Sequence, residues 1–368
     1  TLALLAWHYY RMIFEYDPAP SGFRLVPLDR ALGGDAALFY LLVALAMVPR
    51  IRRLHRALGV PEAVTRDTCL QVKCMCGNYQ RANGGRPGVF DQINWLRYFV
   101  DGSLFFRLGR LEYWRKPFNG EYRVFRRRRD GRTIALAGPA WRINDAGWIE
   151  GVGAEAESRP GWETVLRQTG AGAFGFPIHP RGFVEREPVR LPAADWDCVL
   201  EKGTPVLDLH IPAGGGLTPE ACADSFRRAA EFFRRHFPEP APRAMVCSSW
   251  ICSPILEQIL PPGSNLVAFL REVYLCPLNS RGPASLWFVF LQKPFDPATA
   301  PRETSLQRAL LAYLESGREW RNGSLFFLLD DLPRFGRQWP RAQYAAADVA
   351  AIQRGGSVRQ CPDLGSTS

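Results

Sequence analysis

A chain of 368 residues has room for two domains of ordinary size, and a 47% apolar composition is that of a globular protein and not of a disordered one. Its net charge is +10, with 42 arginines among the 46 basic residues. The basic runs are not interleaved with stacking aromatics and match no zinc-finger or RNA-binding signature, so the charge points to a solvated surface or a small phosphorylated partner and not to nucleic acid.

Residues 1–102 read as a helical N-terminal domain. Leu2 to Glu15 is apolar and aromatic at helical spacing. Ala36 to Val48 is apolar for thirteen residues behind a capping Asp35 and stops at Pro49, which makes it a core helix too short to span a bilayer. Pro61 opens a helix that runs to Ala82 and ends at Asn83-Gly84-Gly85. Phe90 to Val100 is a further helix, closed by Asp101-Gly102-Ser103.

Residues 103–335 read as strands with intervening helices. Leu104 to Trp114 is a strand; Tyr122–Arg129 and Thr133–Ala137 flank a hairpin turn at Asp130-Gly131. Arg126 to Arg129 alternate faces, as on a wet edge strand. A second hairpin surrounds Asn144 to Gly147, and 151–187, rich in Gly, Pro and Arg, reads as a long loop. From 204 the order is strand 205–211, glycine loop, helix 219–236, strand 244–249, short helix 253–260, strand 266–275, strand 285–291, helix 302–316 and strand 323–329. Residues 340–368 read as a weakly ordered tail.

The nine cysteines are odd in number and scattered, and only Cys74 and Cys76 are close-spaced. No pair of knuckles suggests a metal, so none is expected; reduced thiols fit a cytoplasmic protein.

The stretch Val206-Leu-Asp-Leu-His210-Ile-Pro-Ala-Gly214-Gly215-Gly216-Leu-Thr218-Pro-Glu220 carries the most chemistry. It is a strand, a glycine loop and a helix N-terminus in succession. Glycines admit backbone N–H groups to an anion, and the first helical turn leaves donors unpaired with positive dipole character. A Walker loop is excluded by the missing lysine, and a dinucleotide fold by the missing G-x-G-x-x-G spacing. An acyl-coenzyme A site and a plain flexible turn both stay open.

The strings Leu209-His-Ile-Pro-Ala-Gly-Gly215, Leu217-Thr-Pro-Glu220, Cys247-Ser-Ser-Trp250 and Leu260-Pro-Pro-Gly-Ser-Asn-Leu-Val267 resemble a bacterial group within the GCN5-related N-acyltransferases (GNAT). These proteins join a helical N-acyltransferase N-terminal domain to a GNAT-like C-terminal domain. Phe39 to Leu45 and Phe106-Arg-Leu-Gly-Arg-Leu-Glu-Tyr113 are similar to further shared strings. The resemblance implies an α+β fold, with helices followed by a GNAT-like mixed sheet and flanking helices. It also implies acyl-coenzyme A as co-substrate and acyl transfer to a small-molecule amine through a ternary complex. Ile211, Gly214 and Gly216 occupy the slots of the family's phosphate loop, in which the first residue is ordinarily polar. Gly215, Leu217 and Thr218 complete the expected donor-binding set.

Such a transfer needs a base for the amine proton and stabilisation of the oxyanion and leaving thiolate. His210, at the strand end, is the candidate base, with His179 the alternative; His8, His55 and His236 read as structural. The family commonly places a tyrosine near the leaving group, but residues 244–262 contain none, which leaves the hydroxyls of Ser248 and Ser249. The competing reading is a non-catalytic acyl-coenzyme A or ligand-binding GNAT-like module.

Overall fold

The computed structural model describes residues 28–90, 105–156 and 158–344, with residues 2, 3, 6, 7 and 10 of the N-terminal segment. The expected helices at 2–15 and 90–100, and the tail beyond 344, lie largely outside the described residues. Residues 340–344, assigned from sequence to the weak tail, are packed: Tyr344 is buried and Gln343 accepts the N–H of Thr133.

Two long helices precede the strands, α1 at Ala36–Ala57 and α2 at Glu62–Ala82. Pro49 does not end α1 as its sequence suggested. It lies on the exposed side, where water can serve the carbonyl it leaves unpaired, and Ile51 and His55 beyond it are buried. Asp35 occupies the N-cap position without a side-chain cap bond. The continuous helical run Arg30–Ala57 is 28 residues long with a mean hydropathy of 2.0 in its most apolar window, 39% of which is buried. By length and composition it could cross a membrane, which corrects the thirteen-residue reading.

The central sheet has six strands: β1 Phe106–Leu108, β2 Leu111–Pro117, β3 Pro205–His210, β4 Ala244–Ser249, β5 Tyr274–Arg281 and β6 Arg321–Leu328. Their order is β1-β2-β3-β4-β6-β5. Only β3 and β4 pair in parallel, as a strand–helix–strand crossover through α3, Pro219–His236, requires. The strand expected over 104–114 is instead a hairpin, because Gly109 (φ +77°) turns the chain between Leu108 and Leu111.

Two expected strands are helical. Ser264 caps α4, Asn265–Glu272, by accepting the N–H of Val267, so the apolar run around Phe269 winds into a helix before β5 begins. Residues 283–290 form a 3-10 turn and a one-turn helix, Trp287–Phe290. The helix expected over 302–316 is present as α5, Ser305–Glu315, with Thr304 and Gln307 closing a capping box.

The segment between β2 and β3 holds most of the surprises. Residues 151–187 are not a loop; they contribute short strands to three small sheets. Glycine is frequent here because close backbone approach demands it: a Cβ on Gly161 or Gly172 would lie 2.2 Å from a neighbouring carbonyl oxygen. Arg123–Arg127 is not an edge strand but pairs on both sides, with Thr133–Leu136 and Trp196–Leu200.

The core lies on both faces of the central sheet. One face packs α3, α4 and α5 through residues such as Phe226, Phe269 and Leu310 against Leu207, Leu209 and Phe327. On the other, Val206, Val246, Tyr274 and Phe326 meet Tyr122, Val124 and Ile178 of the inserted strands. Trp114 and Phe105 pack against α1 and α2. The N-terminal helices are therefore joined to the strand region through apolar contacts.

One buried and one half-buried histidine make the fold sensitive to acid. His55 hydrogen-bonds Thr65 through Nδ1 at 2.9 Å and packs on Phe106; burial lowers its pKa to about 4 against the opposing charge of Glu62. His179 is also lowered to about 4 by burial, with Arg181 and Arg341 adding to it. Both pKa values are depressed below the unfolded value near 6.5, so the unfolded chain takes up protons that the folded one refuses. Their contribution is intact above pH 6.5 and is lost as pH falls toward 4. Denaturant titrations between pH 7.5 and 4.5 should show this loss, and His55→Gln should remove part of the slope; an unchanged slope would contradict the assignment.

Candidate active site

The site begins with the register of β3. Along its whole length β3 pairs with β2, placing His210 opposite Glu112 and Asp208 opposite Trp114. On its other side it pairs with β4 only from Val206 to Asp208, opposite Ala244 to Val246. Beyond that point the two strands separate. Leu209 and His210 on one side and Cys247 to Ser249 on the other carry no ladder pairing to each other, and the glycine loop follows directly on His210.

The loop is held from behind. Gly214 and Gly215 have φ of +87° and +68°, which side-chain-bearing residues rarely adopt, whereas Gly216 does not. Arg110, in the β1–β2 turn, donates from Nε to the carbonyl of Gly216 and from Nη2 to that of Gly215, both at 3.2 Å. Cys74 of α2 donates through Sγ to the carbonyl of Ala213 at 3.8 Å, and Arg107 reaches the same sulfur. Ile211 packs on the main core and Leu217 is buried, so they anchor the loop's two ends. Thr218 caps α3 by accepting the N–H of Ala221 at 3.2 Å, with Pro219 as the first helical residue. The arrangement presents glycine backbone and a helix start beside two guanidinium groups, an anion-binding combination.

His210 is half-buried at the strand end. Its Nδ1 lies 2.7 Å from Oε2 of Glu112, whose side chain is fully buried. Two residues back on the same face, Asp208 pairs with Lys116. Burial pushes the Asp208 carboxyl up and Lys116 works against that. Ser248 is exposed and shares this face, so the next step of the β3–β4 register would set it across from His210. Ser249 accepts the N–H of Ile251 at 3.5 Å and caps the turn after β4.

His179 is placed elsewhere. It lies on the inserted strand Pro177–His179, accepts the N–H of Arg181 through Nδ1, stacks on Phe183 and meets the edge of Tyr344. His236 is at the end of α3 against Phe232, and His8 lies outside the described residues. Among the described residues no cluster of three potential metal ligands occurs. An apolar cavity of about 350 Å³, lined by Phe106, Phe233, Phe237 and Arg115 among others, sits at the opposite end of β3 and is separate from the split.

Glu112, Arg110 and Asp208 were not anticipated. An acidic residue inside the apolar string Leu111-Glu-Tyr-Trp114 was the available signal for the first. The Gly109-Arg110 turn was the signal for the second.

Several known proteins share this architecture. Residues 105–327 match the GNAT-like C-terminal domain family, and residues 3–102 match the N-acyltransferase N-terminal domain family. An acyltransferase mutant solved with octanoyl-CoA is 25% identical, with a TM-score of 0.57 over 88% of this chain and 77% of that one. An acyltransferase in complex with decanoyl-CoA and teicoplanin is 26% identical, with a TM-score of 0.56 over 89% and 77%. The complex of an acyltransferase with CoA and 10C-teicoplanin gives the same values. A comparison with curated protein sequences found no match. The strand order, the glycine loop and a family match over more than half the chain together establish that this protein belongs to the GNAT-like C-terminal domain family, with an N-acyltransferase N-terminal domain preceding it.

Proposed function

We propose that the protein transfers an acyl group from acyl-coenzyme A to the amine of a small-molecule acceptor within a ternary complex. The observation that carries this reading is the separation of β3 from β4 directly beside the glycine loop. An extended thiol arm can enter between the two strands and meet backbone N–H and C=O groups that no neighbouring strand takes. The loop and the start of α3 would hold the pyrophosphate, with Gly214, Gly215, Gly216 and Thr218 at the contact. The neighbours' complexes with octanoyl-CoA and decanoyl-CoA support a medium-chain donor, and teicoplanin in two of them supports a bulky small-molecule acceptor.

In the reaction the acceptor nitrogen attacks the thioester carbonyl carbon and the carbonyl electron pair moves to oxygen. His210 takes the proton that the nitrogen sheds as the C–N bond forms. The oxyanion then reforms the carbonyl, the C–S bond breaks and the thiolate leaves. Ser248 is suited to donate a hydrogen bond to that sulfur; a coenzyme A thiolate is stable enough to depart without a stronger acid. The helical part borders the donor site through Cys74, which supports the view that residues 1–102 shape the acceptor side and that residues 103–335 bind the donor.

Two measurements test the reading. Coenzyme A thioesters should raise the melting temperature of the wild type by mass action, and Gly215→Val should abolish the rise, because a β-branched residue does not tolerate a φ of +68°. No shift of the wild type with millimolar coenzyme A would remove the loop from donor binding. In an assay of free-thiol release over an amine panel, His210→Ala should lower turnover roughly 10²–10⁴-fold with donor affinity little changed. Thioester binding without thiol release to any amine would favour a non-catalytic binding module.

A further inference from the structure

β2 and β3 carry a row of alternating charge along one face. Glu112 and Lys116 come from β2, Asp208 and His210 from β3, and they form two pairs, Glu112–His210 and Lys116–Asp208. Lys116 engages Asp208, so the carboxylate that meets the imidazole is that of Glu112.

Glu112 is an expensive residue to keep in this place. Its side chain is fully buried, Oε2 is 2.7 Å from Nδ1 of His210, and Oε1 is buried with no hydrogen-bond partner among the described residues. A buried carboxylate with one oxygen unpaired destabilises a fold, and an apolar or neutral side chain of similar volume ordinarily serves stability better. Arg107, opposite on β1, and Arg110 lend it positive charge, but neither hydrogen-bonds Oε1, and the direct partner of the carboxylate is the imidazole, where a proton transfer gives the charge a use.

We propose that Glu112 is a positioning residue for His210. This inference rests on the reading of His210 as the base. The carboxylate accepts the Nδ1–H of the neutral imidazole, which fixes the tautomer and leaves the lone pair on Nε2. When Nε2 takes the acceptor's proton, the imidazolium forms against a carboxylate from which water is excluded, and the attraction is little screened. Glu112 keeps its charge throughout; the proton remains on His210 until it is returned to the departing sulfur or to solvent. Both side chains project from paired strands, so their separation is set by register and not by loop conformation. The unpaired Oε1 is then tolerated as the cost of holding a charge where it works.

The test uses the full chain with octanoyl-CoA as donor and the amine found most reactive. Glu112→Gln should lower kcat roughly 10–10²-fold, with KM for octanoyl-CoA within about twofold and a melting temperature equal to or above that of the wild type. The double variant Glu112→Gln/His210→Ala should be no slower than His210→Ala alone, because Glu112 acts only through the imidazole. A strongly deshielded imidazole N–H proton resonance should be present in the wild type and lost in His210→Ala; this measurement does not depend on the folding of a Glu112 variant. Its absence from the wild type would overturn the proposal. So would a Glu112→Gln enzyme with wild-type kcat while His210→Ala is slow, or a double variant slower than His210→Ala. If His210→Ala itself turns over normally, the base assignment fails first and the role of Glu112 with it.

Discussion

The buried hydroxyl of Ser225 fixes the turn on which the site depends. It donates to the carbonyl of Leu108, accepts the N–H of Leu111 at 3.1 Å and hydrogen-bonds the hydroxyl of Tyr113 at 2.9 Å. Those three partners span the β1–β2 turn, and Ser225 itself sits in the middle of α3. The turn, the helix and the sheet are thus tied at one point. From it Arg110 reaches under the glycine loop, and Glu112, one residue into β2, comes to lie opposite His210. A buried serine in a helix would be a liability if its hydroxyl were unpaired; here both its donor and its acceptor capacity are used.

Part of the arginine excess serves the fold. Arg126 pairs with Asp331 and ties the inserted sheet to the turn after β6, whereas Arg127 with Asp130 and Arg128 with Asp197 hold that sheet and its hairpin together from within. Arg321 is buried against Glu150 and Glu319, and Arg341 ties the C-terminal turn to Glu257. Exposed pairs of this kind contribute little to stability, but the buried forks restrict which strand and which turn can dock. The guanidinium groups close to the glycine loop are few. Arg110 reaches it from the β1–β2 turn, and Arg107 reaches the Cys74 sulfur that bonds it.

The same separation of strands organises the two faces of the sheet. Odd-numbered residues of β3, Leu207 and Leu209, face α3 and its neighbours and pack in the main core. The even-numbered residues, Asp208 and His210, face the other way, toward the inserted sheet and the N-terminal helices. The polar side chains of β3 are therefore on the face that a second layer covers. In this chain that layer is built by residues 118–203 and by α1 and α2.

Much of this was legible in the chain. Helix 219–236 was readable to the residue, because Thr218-Pro219 starts it and Phe, Ala and Cys recur at helical spacing. The glycine loop and the position of His210 at a strand end were readable for the same local reason. The residues around 151–187 and 264–291 were not. The strands of 151–187 are two to four residues long, shorter than any period can register, and in 264–291 a cap at Ser264 starts a helix in an apolar run that suited a strand equally well. The Glu112–His210 pair was beyond the sequence altogether. The two residues are 98 apart, and nothing local specifies which strand will lie beside β3 or in which register. Sequence by itself determined the local elements whose energetics are local: caps, turns and amphipathic faces. Which carboxylate meets the imidazole, and where β4 leaves β3 to open the site, were decided only by tertiary pairing, because those distances follow from strand order and register, which no short stretch of chain contains.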